Sequence, residues 1–393
     1  MALQTFSESH HSPVAAVDAG GPLAGKTLGH RSLDAEGLRE LDAAAWDALA
    51  TNALVENPFY ARQYVLAGLA TIDRDAGLRA LAISDAAGTL LGLFPFRNRG
   101  MVPSPLPTAF GAANKYQFCG TPLVHKDHAE AVVGAWLDLL AQGQPRGLWA
   151  LPDLDMNTPL AELILDGVLA RQMPAQQANA YRRAFLTRLP GGFEAHLETV
   201  LSKNRLKDVR RTMRRLQEAG TIALEHVSGP SSLRARLEDF LALEHAGWKG
   251  ENGTSFLSSA TDADFARQAY VVPFAAIDSL LLDGRPIAMK LSIHTGDTAF
   301  TPKIAYDETH KKLGPGMALE YLLIEEFYRS GQPGAVDAAA TAEGHSALNF
   351  FNGEKSMATL IVGRSGWQVR LLAWLYESRE SVKRRVKALL KIG

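Results

Sequence analysis

The sequence predicts a two-lobed α/β chain, and three observations lead there. At 393 residues the chain exceeds the roughly 100–200 residues that one domain usually holds, so two domains are expected. Hydrophobic residues make up 47% and charged residues 21%, the make-up of a packed globular protein and not of a disordered or fibrous one. A unit of strand, tight turn and strand also occurs twice, at Leu78 to Arg97 and again at Ala276 to His294, as an internal duplication would leave it.

The elements follow in order. Residues 1–30 contain His-His, Ser-Pro and Gly-Gly without sustained periodicity and are expected to form a mobile tail. The first lobe is expected over 31–190. Leu38, Leu41, Ala45 and Leu49 recur at helical spacing and predict one helix over 33–50, ended by Asn57-Pro58. Leu78 to Ser84 and Leu90 to Arg97 read as strands around the turn Asp85 to Gly88. After a stretch with Pro103, Pro105 and Pro107, the apolar face Val132, Val133, Trp136, Leu139 and Leu140 predicts a helix over 128–142.

The second lobe is expected over 191–366. It opens on a helix over 201–219 whose apolar stripe, Leu206, Val209, Met213 and Leu216, is surrounded by Lys203, Arg205, Lys207, Arg210, Arg211, Arg214 and Arg215. Gly220 stands where a helix stop belongs, and Thr221 to His226 reads as a strand. The second hairpin turns at Asp283-Gly284, a further strand runs from Asp297 to Tyr306, and a helix follows over 318–328. A strand over 335–340 comes next, and residues 367–393 form a basic amphipathic segment.

Several function classes are excluded early. The formal net charge of −1 gives no global attraction to nucleic acid or membrane, so any charged partner must meet a local patch. A single cysteine, Cys119, makes no internal disulfide and no thiolate metal site, which suits a reducing, cytoplasmic compartment. The amino terminus lacks the order of a secretory signal, no run of about 18 apolar residues occurs, and no histidine spacing suggests a metal.

The main chemical signal is Lys311-Lys312-Leu313-Gly314-Pro315-Gly316-Met317, set between a strand and a helix. Glycines let backbone N–H groups approach a ligand, and the first helical turn offers unpaired N–H groups and the positive end of its dipole. Lys311 and Lys312 add cations at the entrance of this anion cradle. Pro315 removes one donor.

This turn resembles the pyrophosphate-binding turn of the GNAT superfamily of acyltransferases, with Lys311, Gly314 and Gly316 in the basic and glycine positions. Together with Phe300 to Glu308 and Leu243 to Lys249 it is similar to the GNAT branch found in bacterial polysaccharide and cell-envelope biosynthesis proteins, and to the Fem-type aminoacyltransferases. The resemblance covers 201–362 by motif and 33–190 by order of elements. It implies two tandem GNAT-like lobes, each a mixed, mostly antiparallel sheet flanked by helices, the first degenerate and the second catalytic. It further implies acyl-CoA as co-substrate, with no permanently bound cofactor, and an amine or hydroxyl acceptor that it does not name; an envelope precursor is one candidate, and a sphingoid base another if residues 367–393 meet a membrane.

Direct acyl transfer needs a base, and no nucleophile elbow is visible. His294, Asp307 and His310 lie nearest the loop in sequence, and Glu343 and His345 follow the strand over 335–340 in a small-residue loop. Trp248, Lys249, Lys303 and Tyr306 are the candidates for substrate contact, and Lys355 is as much a structural as a chemical candidate. The helix over 201–219 admits three readings: a solvated face, a support for CoA phosphates, or a contact for RNA. No aromatic stacking residues accompany it, so nucleic acid is not expected. The segment 367–393 combines Trp367 and Trp374 with the cations Lys383, Arg384, Arg385, Lys387 and Lys391 and has the form of a helix that lies on anionic membrane, set against a helix that packs on the body. A Fem-like enzyme fed by charged tRNA and a non-catalytic accessory protein are the competing readings.

Overall fold

The structure, a computed structural model, describes residues 28–100, 102–341 and 349–390, with side chains to 382. Its strands are β1 (Gly29–Leu33), β2 (Leu78–Ser84), β3 (Leu90–Arg97), β4 (Ala109–Gly111), β5 (Leu123–Val124), β6 (Leu148–Asp155) and β7 (Ala175–Thr187), then β8 (Ile222–Ser228), β9 (Ala275–Leu282), β10 (Arg285–Thr295), β11 (Thr298–Tyr306), β12 (Ala335–Thr341) and β13 (Gly353–Gly363). All join one 13-stranded sheet in the order β1-β2-β3-β4-β6-β13-β7-β12-β11-β10-β9-β8, with β5 beside β3.

Read from either edge, the order repeats. In the amino-terminal half β1, β2, β3 and β4 form an antiparallel series, and β4 then runs parallel to β6. In the carboxyl-terminal half β8 to β11 are antiparallel and β11 runs parallel to β12. The duplication expected from the two hairpins is therefore present as a repeated topology. The two strands at the centre are exchanged: β7, which follows β6 in the chain, pairs with β12, and β13, which follows β12, pairs with β6. They pair with each other over the full span from Gly353–Phe185 to Val362–Ala175.

Parallel neighbours need a crossover. In the first half this is α4 (Ala129–Ala141), joined on the same face by α5 (Pro159–Ala170), with Trp136, Leu140 and Ile164 meeting Phe94 and Trp149 of the sheet. The opposite face is covered by three short helices, α1 (Ala35–Glu40), α2 (Ala43–Thr51) and α3 (Arg62–Ala70). The single helix expected over 33–50 is thus two, because the Asp42 carboxylate accepts from the Ala45 N–H at 2.7 Å and starts a second helix.

In the second half the crossover is α11 (Pro315–Ser330), flanked by α6 (Gly192–Val200) and the basic helix α7 (Lys203–Ala219), whose buried Leu206, Val209, Met213 and Leu216 are the stripe read from the sequence. The other face carries α8 (Pro230–Ala246), the one-turn α9 (Trp248–Glu251) and α10 (Ala260–Ala269). Here Phe240, Phe265 and Tyr270 share a core with Phe59, Tyr64 and Tyr116 of the first half, so the halves are packed as well as paired. The last helix, α12 (Gly366–Leu390), lays Val369, Leu372 and Tyr376 on Ala178 and Ile361.

Candidate functional site

The parallel pair of the second half does not stay together. β11 and β12 are paired only at Thr298–Phe300 against Ala335–Asp337, and then part. Two local features enforce this. Pro302 has no N–H for the ladder. On β12 the Asp337 carboxylate accepts from the Ala339 N–H at 2.8 Å, Ala339 is left-handed at φ 50°, and the register with β7 jumps between Asp337 and Thr341.

A cleft of about 670 Å³ opens in the gap, lined by Pro302, Ile304 and Tyr306 on one strand and Ala338 and Ala340 on the other. Its mouth is the loop singled out in the sequence. Residues Glu308–Leu313 form a 3-10 turn, Gly314 stops it in the left-handed conformation at φ 61° and ψ 46°, and Pro315 opens α11. Glycine is required at 314 for that angle and for space, since a Cβ would stand 3.2 Å from Thr212 of α7. No side chain caps α11, so its amino-terminal dipole faces the cleft.

Of the residues expected to hold phosphate, Lys311, Gly314, Pro315, Gly316 and Met317 line the cleft, whereas Leu313 packs into the core beneath α11 and Lys312 is outside the lining. Among the expected substrate contacts Trp248, Lys249 and Tyr306 line it. Burial in this wall pushes the Lys249 ammonium down from its ordinary value, opposed by nearby Glu244, and its Nζ donates to the Ile304 carbonyl at 2.6 Å. Lys303 is engaged below the surface. Its Nζ donates to the buried Glu244 carboxylate at 2.8 Å, which also accepts from the Phe256 N–H, and it lies 4.2 Å from the Phe256 ring centroid.

The expected bases are dispersed. Asp307 caps the 3-10 turn through Thr309 and His310; burial raises its carboxyl, but these hydrogen bonds outweigh that and hold it below the usual range. His294 lies in a neighbouring cavity, hydrogen-bonded to Ser292 at 2.9 Å, and burial lowers its pKa. Glu343 and His345 fall outside the described residues. Lys355 spans the junction of the halves, 3.0 Å from Asp337, itself 3.8 Å from buried Arg183.

Of the cations read in the helix over 201–219, Arg205, near the start of α7, lines the cleft. The site also holds two residues that sequence reasoning missed. Lys290 of β10 and Glu320 of α11 form a buried ion pair in its wall, Nζ to Oε1 at 2.8 Å and to Oε2 at 2.7 Å. A lysine within Ala288-Met289-Lys290-Leu291 and a glutamate within Leu319-Glu320-Tyr321-Leu322 were the available signals, each a charge where the pattern wants an apolar group.

In the first half the chain itself packs into the gap beyond the β4 and β6 pairing. Gly120 lies so close that a Cβ there would stand 2.0 Å from the Pro152 carbonyl oxygen, and Asn57 ties the segment down through the Cys119 and Thr121 carbonyls. Asp153, next to Pro152, is left-handed like Ala339.

A sheet that parts between two parallel strands, with an uncapped helix amino terminus at the mouth, defines a GNAT-type transferase fold. Residues 203–344 match the family model of the acetyltransferase (GNAT) domain, so this stretch of the chain carries a GNAT domain. Among solved structures, FemX aligns with a TM-score of 0.56 at 12% identity over 84% of this chain and 98% of that one. The C-terminal domain of a putative lysylphosphatidylglycerol synthetase from Agrobacterium fabrum aligns with a TM-score of 0.53 at 13% identity, over 86% of this chain and 95% of the other. A conserved protein of unknown function from Bacteroides thetaiotaomicron gives 0.51 at 12% identity, covering 82% of this chain and 98% of its own. At such identities the likeness is one of fold. No curated protein matches the sequence.

Proposed function

We propose that this protein transfers an acyl group from acyl-CoA to an amine or hydroxyl acceptor, using the cleft between β11 and β12. The observation that carries the reading is the uncapped amino terminus of α11 behind Gly314-Pro315-Gly316 at the mouth of the parted strands. Oriented N–H groups and the helix dipole favour a pyrophosphate there, and Arg205 and Lys311 supply charge at the same mouth. Pantetheine then runs between β11 and β12 toward Thr301. The acceptor nitrogen or oxygen attacks the thioester carbonyl carbon, the new C–N or C–O bond forms as C–S breaks, and the acceptor's proton passes by way of a base to the departing thiolate. Glu343 and His345 after β12, and His294, are the base candidates; Asp307 is a weaker one, being committed to its turn.

A lipid-like acceptor, met at the cytoplasmic surface of a membrane, fits α12. Trp367 and Trp374 are 56% and 62% exposed one heptad apart. Residues 364–393 hold eight Lys or Arg against two Glu, in a chain whose net charge is −1. Exposed indoles beside cations suit an anionic lipid surface. Among the described residues no helix is long and apolar enough to cross a membrane.

One observation favours a second donor. Arg205 of the basic helix α7 lines the same mouth, and an aminoacyl-tRNA would meet that helix first. Calorimetry with CoA, acetyl-CoA and a long-chain acyl-CoA decides, comparing wild type with Gly314→Asp/Gly316→Asp, which puts carboxylates at the phosphate position. Binding by wild type and its loss in a folded variant supports the reading. No CoA binding by wild type, with RNA retained on purification, moves the donor to charged tRNA; neither would make the protein a non-catalytic accessory.

A further inference from the structure

Beside the cleft lies a second cavity of about 560 Å³, between the carboxyl-terminal turns of α11 and the sheet, within the roughly 300–1,000 Å³ of ordinary ligand sites. Lys290, Thr301 and Glu320 line both spaces, so the Lys290–Glu320 ion pair stands in a wall the two share. Thr301 directly follows Phe300, the last residue of β11 paired with β12, so the spaces adjoin where the strands part.

The second cavity has two characters. Leu323 and Phe327 of α11 and Val336 of β12 give it an apolar side. Asp278, Ser292 and His294, on β9 and β10, give it a polar side on the same face of the sheet as Lys290. A purely fatty chain would leave those polar groups facing hydrocarbon, which is unfavourable. A small polar molecule would leave the apolar wall unused.

We propose that this cavity receives the acceptor, an amphiphilic amine whose hydrocarbon part lies against Leu323, Phe327 and Val336 and whose amino end reaches past Asp278 to the Lys290 and Glu320 partition. This rests on the acyl-CoA reading of the neighbouring cleft. CoA occupies the mouth formed by Gly314 to Met317, so a second substrate must approach the thioester from another side, and the shared wall at Thr301 is the side this structure provides. Asp278 stands on the amine's path, and the ion pair of Lys290 with Glu320 forms the wall common to both substrates.

The test uses the whole protein with dodecylamine and ethanolamine as acceptor probes. Val336→Phe should raise the KM for dodecylamine about tenfold or more, equivalent to about 1.4 kcal/mol, while the Kd for acyl-CoA stays within about twofold. Asp278→Asn, which conserves volume, should raise KM for both amines. If Val336→Phe instead weakens long-chain acyl-CoA but spares acetyl-CoA, the cavity belongs to the donor chain and the proposal is overturned. It is equally overturned if neither variant changes either constant. Should wild type bind no CoA, the transferase reading fails on its own; dodecylamine binding by calorimetry, lost in Val336→Phe or not, still decides whether the cavity takes such an amine.

Discussion

Replacing Lys290 by methionine isolates the energetics of the cleft wall. Its side chain and that of Glu320 are 8% and 4% exposed, and the two bonds at 2.8 and 2.7 Å are those the ammonium gives the carboxylate. Hydrogen bonds to charged groups contribute roughly 1.5–3 kcal/mol each, and removing one partner of a buried ion pair costs about 3–5 kcal/mol, because the remaining charge stays desolvated. Against a total stability of about 5–15 kcal/mol, Lys290→Met should therefore lower Tm by roughly 6–20 °C for a cooperative unit of about 150–250 residues. Lys290→Met/Glu320→Leu removes both charges and should recover most of the loss. Urea denaturation of wild type, single and double variants reads both effects. If Lys290→Met unfolds at the wild-type urea concentration, or if the double variant is no more stable than the single one, the pair is not a buried ion pair in solution.

Other expectations follow from particular contacts. Gly120→Ala should destabilise by about 1–3 kcal/mol through overpacking against Pro152, with acyl-CoA affinity unchanged; a neutral result in thermal denaturation would mean that the segment beside β6 is loosely held. His226 is bonded to Asp278 at 2.8 Å, which raises its pKa, while burial lowers that of His294. The His226 contribution is therefore fully present below the unfolded value of about 6.5 and lost as pH rises through the folded pKa, whereas His294 withdraws stability as pH falls below about 6.5. NMR titration of the imidazole protons should show midpoints on opposite sides of that value, and a His294 midpoint above it would put that ring in water. Trp367→Ser/Trp374→Ser should abolish binding to vesicles containing phosphatidylserine, and raised salt should weaken the wild type's binding; vesicle sedimentation that is the same for both proteins would remove α12 as a membrane contact.

Much of the fold was legible because it is local. Both hairpins, α4, α7 and α11 fall where periodicity and glycine placement put them, and Gly314-Pro315-Gly316 could be read because a strand on one side and a helix on the other fix what such a loop does. The break between α1 and α2 was missed because Asp42 as a cap is one polar residue inside an apolar repeat. β7 was not assigned: its alternation carries Arg182 and Arg183 where a central strand should be apolar, and only the folded chain supplies Asp337 beside Arg183. The Lys290 and Glu320 pair was half visible. Each charge stood out in its pattern, but their meeting depends on how α11 crosses the sheet, which no local spacing records.

The exchange of β7 and β13 bears on how such a chain can be made. β6 has left the ribosome long before β13, yet β13 is its neighbour on the side away from β4, some two hundred residues later in synthesis. Until that strand arrives, the first half has an open edge at β6, a place where strands of other chains can pair. Loop closure over such a distance is slow to gain its reward, and waiting intermediates with unpaired edges are the species that aggregate. β13 thus closes the first half and, through its pairing with β7, secures the second. A nascent chain stalled before Gly353 would hold the residues of the cleft without the centre of the sheet that supports them.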